Sequence, residues 1–278
     1  MNWLVIARKE FEDAVRSRVL WGLVAFVTVM VGFTMAIPLV VPEFDAGVLS
    51  GLGAASEFAA MLVPIVALVA AYLAIAGERE SGSLRLLLGM EPSRRTVVVG
   101  KFVGRAAVVV VGLVAGFAVE GLVAVAIYGG VPALAFGAVV GLTAVLGVSY
   151  VGIAIGISAA TASRARAMTV GIAVYLGLAL LWDLVPQGAH LVVVGAPPGQ
   201  TVPGWFVFLQ GLSPSGAYSA LVMNAIHAVD SSYPAVTAAV EGGAPSYLQW
   251  WVFVAILAVW TVVPLLVGGF VFERSDLD

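Results

Sequence analysis

The sequence predicts an all-α integral membrane protein: six transmembrane helices, an N-terminal interfacial amphipathic helix, and short outer helices before the last span. Three observations lead there. Hydrophobic residues make up 62% of the 278-residue chain and charged residues only 10%. The mean hydropathy is +1.08, whereas a water-soluble domain needs far more charge on its outer faces. Six apolar runs are long enough to cross a hydrocarbon core of about 30 Å, which takes roughly 20 residues. All thirteen Lys and Arg residues fall in alternate connections between those runs.

The runs are 19–41, 58–77, 102–128, 133–160, 167–185 and 248–272. Arg8, Lys9, Arg16 and Arg18 precede the first. Arg79, Arg85, Arg94, Arg95, Lys101 and Arg105 lie between the second and third or at the foot of the third. Arg164 and Arg166 follow the fourth, and Arg274 follows the sixth. The positive-inside rule makes these connections cytoplasmic, and with them both termini of a multi-pass protein of the cell membrane. The first run is longer than the h-region of a cleaved signal peptide, and no small-x-small site follows it. There are no cysteines, so disulfides and thiolate metal sites are excluded. A net charge of -3 points to no particular partner.

Residues 1–18 form a second kind of element. Leu4, Ala7, Phe11 and Val15 recur at helical spacing, with Lys9, Glu10, Glu12, Asp13 and Arg16 on the other face. Arg8 with Glu12 and Glu12 with Arg16 are i,i+4 pairs that support a helix. The spacing predicts an amphipathic helix lying in the cytoplasmic interface; a frayed, charged N-terminus is the alternative. The outer connection, 186–247, is long and apolar. Its stretch VPGWFVFLQG (202–211) is too short to cross yet too apolar for water, and predicts a short re-entrant helix with Trp205 at headgroup level. Ser213 as N-cap and Pro214 at the first helical position predict a second.

The stretch ERESGSLRLLLGMEPSRR (78–95) gathers charge between two apolar runs. Ser83 can cap a short helix with Leu84, Leu87 and Leu88 on one face and Arg85 on another. Pro92 ends it, and Ser93 can cap the helix that climbs into the third span. There Arg94, Lys101 and Arg105 form a stripe at i, i+7 and i+11 that meets anionic headgroups or acidic side chains. A surface helix with its own apolar face, bracketed by Glu78, Arg79, Glu80 and Glu91, suits being gripped from outside the membrane. A solvated loop that only anchors topology remains the other reading of these residues.

Residues 77–105, GERESGSLRLLLGMEPSRRTVVVGKFVGR, resemble the cytoplasmic loop between helices two and three of type-2 ABC transporter permeases. Such loops commonly read E-x-E-x-G-[ST]-L-x-x-L-L, then a Pro-Ser/Thr-Arg turn, then G-K. ARKEFEDAVRSR (7–18) resembles the same family's interfacial helix, and LSPSGAY (212–218) the outer loop of its NosY-like branch. The loop match covers about thirty residues, and the six-helix layout extends it along the chain. The resemblance implies a type-2 ABC permease fold: one transmembrane domain over 1–278, with an interfacial helix at 1–18, a coupling loop at 78–101 and an outer loop at 186–247. It implies that Glu78, Arg79, Glu80, Leu84, Arg85, Leu87 and Leu88 couple the chain to a cytoplasmic ATPase. It further implies an exporter and a pair of permeases, two copies of this chain or this chain with a similar one, helices two and five nearest the axis.

No phosphate loop is present: RTVVVGKF has Arg95 and Phe102 where a Walker A motif needs Gly and Ser/Thr. ATP and magnesium are therefore expected on a partner chain, with no cofactor bound here. No His-Glu-x-x-His, paired Asp or Ser with His lies within the spans, which argues against an enzyme. Glu120 is the one carboxylate deep in a span, either a structural hydrogen-bonding group or a place on a substrate path. Glu57, after a candidate Ser56 cap, and Asp183 sit near the outer interface. Gly112/Gly116, Gly137/Gly141 and Gly152/Gly156 are candidate helix crossings, barely more numerous than chance predicts. His190 and His227 lack metal-ligand spacing. A secondary transporter, or a membrane scaffold without an ATPase, is the alternative; broken helices in two related halves would mark the transporter.

Overall fold

The computed structural model describes residues 2–40, 47–84, 92–243 and 245–275, with the backbone alone for 37–40. Among these residues the helices are α1 (Trp3–Val15), α2 (Arg18–Val40), α3 (Val48–Ala71), α4 (Ala76–Glu80), α5 (Arg94–Tyr128), α6 (Ala133–Ala160), α7 (Arg164–Tyr175), α8 (Leu184–Val194), α9 (Gly204–Gln210), α10 (Pro214–Val229) and α11 (Trp250–Arg274). Five helices are long and apolar enough to cross a membrane.

The fifth span is broken. α7 runs into a π-helical turn, Leu176–Leu180, and the pair formed with α8 bends by 53°. Pro186 stands three residues into α8. A proline lacks the amide that would continue the preceding helix, and it disfavours helical geometry in the residue before it. The continuous fifth span expected over 167–185 is thus corrected, and α8 is an outer helix that periodicity did not reveal. A broken helix is a feature expected of the rival secondary transporter, but α2, α3, α5 and α6 have no matching break. The second span also starts earlier than expected, at Val48 rather than 58. Glu57 therefore lies well inside α3 rather than at its N-terminus, and Ser56 donates to the Gly53 carbonyl at 2.7 Å instead of capping.

α3, α5 and α6 supply most of the buried core, and α10 and α2 add to it. The α6–α11 crossing is set by glycines. A Cβ on Gly152 would lie 2.6 Å from the Thr261 carbonyl oxygen, one on Gly156 would meet the Pro264 backbone, and one on Gly268 would meet Gly156 itself. Small residues let helix backbones touch where no hydrophobic force separates protein from lipid. Gly112 and Gly116 similarly receive Val24 and Thr28 of α2, whereas Gly137 and Gly141 face open space. Ser149 donates to the Leu257 carbonyl and accepts from the Thr261 hydroxyl across the same crossing.

Between α3 and α4 the helical hydrogen bonding is interrupted over residues 72–75. The Ser158 hydroxyl accepts from both freed amides, Ile75 at 2.9 Å and Ala76 at 3.0 Å. On the opposite side of the bundle α9 and α10 form a hairpin that enters it rather than resting on its surface. Ser213 caps α10 by accepting from the Gly216 amide, with Pro214 at N1 as expected. Ser215 donates to the Ala60 carbonyl, and Tyr218 bonds Thr143 at 2.8 Å. Trp260, near the middle of α11, donates to the Leu212 carbonyl at 2.8 Å. Trp205 packs beside His190 and Phe206 instead of standing free at headgroup level.

Gly156→Val should prevent the α6–α11 approach. Overpacking typically costs about 1–3 kcal/mol, and backbone atoms leave little room to relax, so the upper end is expected. Gly141→Val should be nearly silent. Thermal melting of both variants in detergent checks this.

Candidate functional site

α5 is 35 residues long, about 52 Å at 1.5 Å per residue, and overruns a core of about 30 Å. Its foot is a platform for α1. Gly100 receives Ile6, where a Cβ would lie 2.7 Å from the Ile6 side chain, and Gly104 receives Ala7, where a Cβ would lie 2.6 Å from the Ala7 carbonyl oxygen. This close seating turns Ile6, Ala7, Glu10 and Ala14 inward. The expected apolar face is corrected accordingly: Leu4 is 54% exposed, Phe11 and Val15 are partly buried, and Glu10, assigned to the polar face, is interior. Arg8 and Glu12 pair on the outer face at 2.9 Å.

Glu10 meets the residues that follow each glycine. Lys101 Nζ lies 2.5 Å from Glu10 Oε1 and 2.8 Å from Glu78 Oε1. Arg105 donates to Glu10 Oε2 through Nη2 at 2.7 Å and Nε at 2.9 Å, and through Nη1 to the Ala70 carbonyl at 3.0 Å. Lys101 is 0% exposed and Glu10 2%. Burial pushes the Glu10 carboxyl up, but the adjacent Lys101 and Arg105 charges outweigh it and hold it below the usual carboxylate range. Two carboxylates and two cations cancel, the condition under which charges survive burial. Glu78 Oε2 is buried without a hydrogen-bond partner. The stripe of basic residues therefore faces acidic side chains at Lys101 and Arg105. Arg94 turns to the end of α11, donating to the carbonyls of Phe272, Glu273 and Ser275 at 2.5, 3.1 and 2.7 Å.

This cluster stands at the root of the charged loop. Arg79 is half-buried on α4. Glu80 accepts from the Arg164 amide at 2.7 Å and so tops the N-terminus of α7, where the helix dipole favours an anion. The two basic connections are thus tied together within the chain, a link that sequence spacing did not suggest. The Ser83 hydroxyl donates to the Glu78 carbonyl at 3.4 Å and bonds Ser81 at 2.9 Å; the amides it is expected to cap lie outside the described residues. Leu84 is buried in the core. Arg85, Leu87, Leu88 and Glu91 lie outside the described residues. Ser93 caps α5 as expected, accepting from the Thr96 amide at 3.2 Å.

Glu120 is 2% exposed, on the inner face of α5, with Oε2 unpartnered. Nearer the α9–α10 hairpin lies a cavity of about 320 Å³, lined by Glu57, Asp183, Gln210, Ser213, Ser215 and Ser219 among others. Glu57 and Asp183 are more than a hundred residues apart, which is why sequence reasoning did not join them. His190 and His227 each place Nδ1 on a backbone carbonyl, of Ala196 and Tyr233.

The family model of the ABC-2 family transporter protein matches residues 4–277. The chain belongs to the ABC-2 transporter family. The probable ABC transporter permease protein NosY of Stutzerimonas stutzeri is 26% identical over 275 residues, 97% of each chain. The protein of the same description from Pseudomonas aeruginosa is 28% identical over 219 residues, 77% of this chain and 78% of its own. As an ABC-2 permease the chain is the transmembrane, multi-pass subunit of an ABC transporter, a class that works with an ATPase subunit. The expected fold class is borne out, all-α among the described residues. The family is one of non-catalytic membrane components.

In this ABC-2 permease the charge cluster ties the root of the loop to α1 and α5. Glu10→Ala would leave a fully buried ammonium short of its strongest partner. Breaking a buried pair from one side costs about 3–5 kcal/mol, so the variant should melt markedly earlier in detergent. Glu10→Leu with Lys101→Met and Arg105→Met, which removes the charges together, should recover most of the loss.

Proposed function

We propose that this permease works in an ATP-driven exporter in which residues 78–101 are the coupling loop. A cytoplasmic ATPase subunit grips the loop through Arg79, Arg85, Leu87 and Leu88. Glu78, Glu80 and Leu84 fasten its root to the membrane helices. The supporting observation is the hydrogen-bonded chain from Glu78 through Lys101 to Glu10 and Arg105. It gives a push on the loop an immediate path into α5 and α1. Leu84, buried at the loop's start, anchors the same end. Nucleotide and magnesium belong to the partner ATPase, and this chain binds no cofactor of its own. Glu120, buried on the inner face of α5, is the polar group we propose a substrate would meet within the bundle.

The assembly we propose is a two-fold homodimer bound to two ATPase subunits, because one chain offers one loop and C2 closure is the commonest symmetry. Both termini and all thirteen basic residues face the cytoplasm.

Orientation is tested with single cysteines, since the chain has none of its own. Cysteines at Ser83 and Ser163 should resist an impermeant maleimide in intact cells, and one at Ser231 should react. External labelling at position 83 would falsify the topology and the coupling role together.

For coupling, Arg85→Glu with Leu88→Glu should leave the permease's melting temperature unchanged. Truncating one side of a buried interfacial ion pair costs about 2–5 kcal/mol, more than tenfold in affinity at about 1.4 kcal/mol per decade. Substrate-stimulated ATPase activity of the reconstituted complex should therefore be lost, whereas Arg166→Glu should change little. Unaltered stimulation in the loop variant would leave the loop as a topological anchor.

A further inference from the structure

A second cavity, about 530 Å³, opens between α5 and α11 on the side away from the charge cluster. Its walls are two helical stripes facing each other. Arg95, Val98, Val99 and Phe102 of α5 recur at i, i+3, i+4 and i+7. Val262, Leu265, Leu266, Gly269, Phe270 and Glu273 of α11 recur at i, i+3, i+4, i+7, i+8 and i+11. Val99, Leu266 and Phe270 are exposed, so the groove opens sideways, toward lipid. One end is charged. Arg95 pairs with Glu273, and Arg274 lies over the Phe270 ring, 3.9 Å from its centroid. Arg94, beside them, spends its hydrogen bonds on the α11 carbonyls and keeps its charge. Among the described residues, Arg95 and Arg274 thus set two guanidinium groups against the Glu273 carboxylate at this mouth.

From these walls and this mouth we infer that the groove is a binding site for one anionic phospholipid of the leaflet on the basic side of the membrane. Length matches first. From Val262, midway along α11, to Glu273 is eleven residues, about 16 Å along the axis at 1.5 Å per residue. That is one leaflet, half of a hydrocarbon core of about 30 Å. Charge matches second, because basic pockets between transmembrane helices on the positive side hold lipid phosphate groups. The phosphate meets Arg95 and Arg274 while one acyl chain lies between the stripes. Gly269, with nothing within 4 Å of an added Cβ, leaves the middle of the groove open for that chain.

The test uses the purified permease in a weak detergent, offered equal amounts of dioleoylphosphatidylglycerol and dioleoylphosphatidylcholine and read by native mass spectrometry. One phosphatidylglycerol per protomer should survive activation that strips phosphatidylcholine, with a preference of about tenfold. Arg95→Gln with Arg274→Gln should abolish the preference while some lipid of either kind remains bound. Leu266→Trp, filling the groove, should remove the retained lipid altogether at unchanged melting temperature. Equal retention of the two lipids by the unaltered chain, or an undiminished preference in the double variant, overturns the site. A shift of Leu266→Trp from dimer to monomer also overturns it, because a second copy would then be what covers this face.

Discussion

A lysine ammonium with no exposure to solvent constrains the whole basic end of this molecule. Lys101 cannot be buried alone, because moving a charge out of water costs several kcal/mol even after the surroundings relax. Two carboxylates must reach it from different parts of the chain. Glu10 can do so only if α1 lies directly on α5, which requires the glycines at 100 and 104. Glu78 can do so only if the helical bonding is interrupted at 72–75, which requires Ser158 to take up the freed amides. Arg105 then balances the second oxygen of Glu10 and reaches back to the Ala70 carbonyl. Each of these features has little purpose without the others.

The consequence is mechanical. α1, the root of the loop and the foot of α5 are bonded into one unit, and Glu80 extends it to α7 through the Arg164 amide. The bonds within the unit differ in strength. Lys101 and Glu10 are sealed from water, where charge pairs act at low dielectric. Glu80 and Arg164 are exposed, where such pairs contribute about 0–1 kcal/mol. The first link resists deformation and the second yields, so displacement of the loop would carry α5 and α1 with it and leave α7 comparatively free. On the opposite side the polar contacts are different in kind. Most are neutral hydroxyl, indole and carbonyl bonds around the α9–α10 hairpin, with the Glu57 and Asp183 carboxyls in the cavity beside it.

Much of this was legible from residue order alone. Apolar length located the spans, and local capping chemistry placed Ser93, Ser213 and Pro214 correctly. Both signals act over a few residues, which is why they survive without tertiary information. What escaped depends on encounters between distant segments. Glu10 sits on a helix whose pattern permits two apolar faces, and the choice between them was made by Gly100 and Gly104 about ninety positions away. The GKFVGR spacing, glycine then cation repeated after four residues, held that signal in retrospect: a smooth strip with a positive charge beside each gap. Gly-x-x-x-Gly counts could not separate Gly152/Gly156, which is in contact, from Gly137/Gly141, which is not. The broken span was half legible, since Pro186 was visible but the π-helical turn before it carries no composition signal.

The α9–α10 hairpin bears on how the molecule is made. Its apex carbonyl, Leu212, is satisfied by Trp260, 48 residues further along the chain. During synthesis that indole does not yet exist when the hairpin emerges. Neither helix is long enough to be inserted as a span, so the contacts that hold the hairpin in the bundle are complete only once α11 is in place. Only then is it held between α3, α6 and α11 by protein partners. α11 therefore completes the part of the protein nearest the cavity beside the hairpin, and a chain truncated before Trp260 would leave the Leu212 carbonyl without its indole donor.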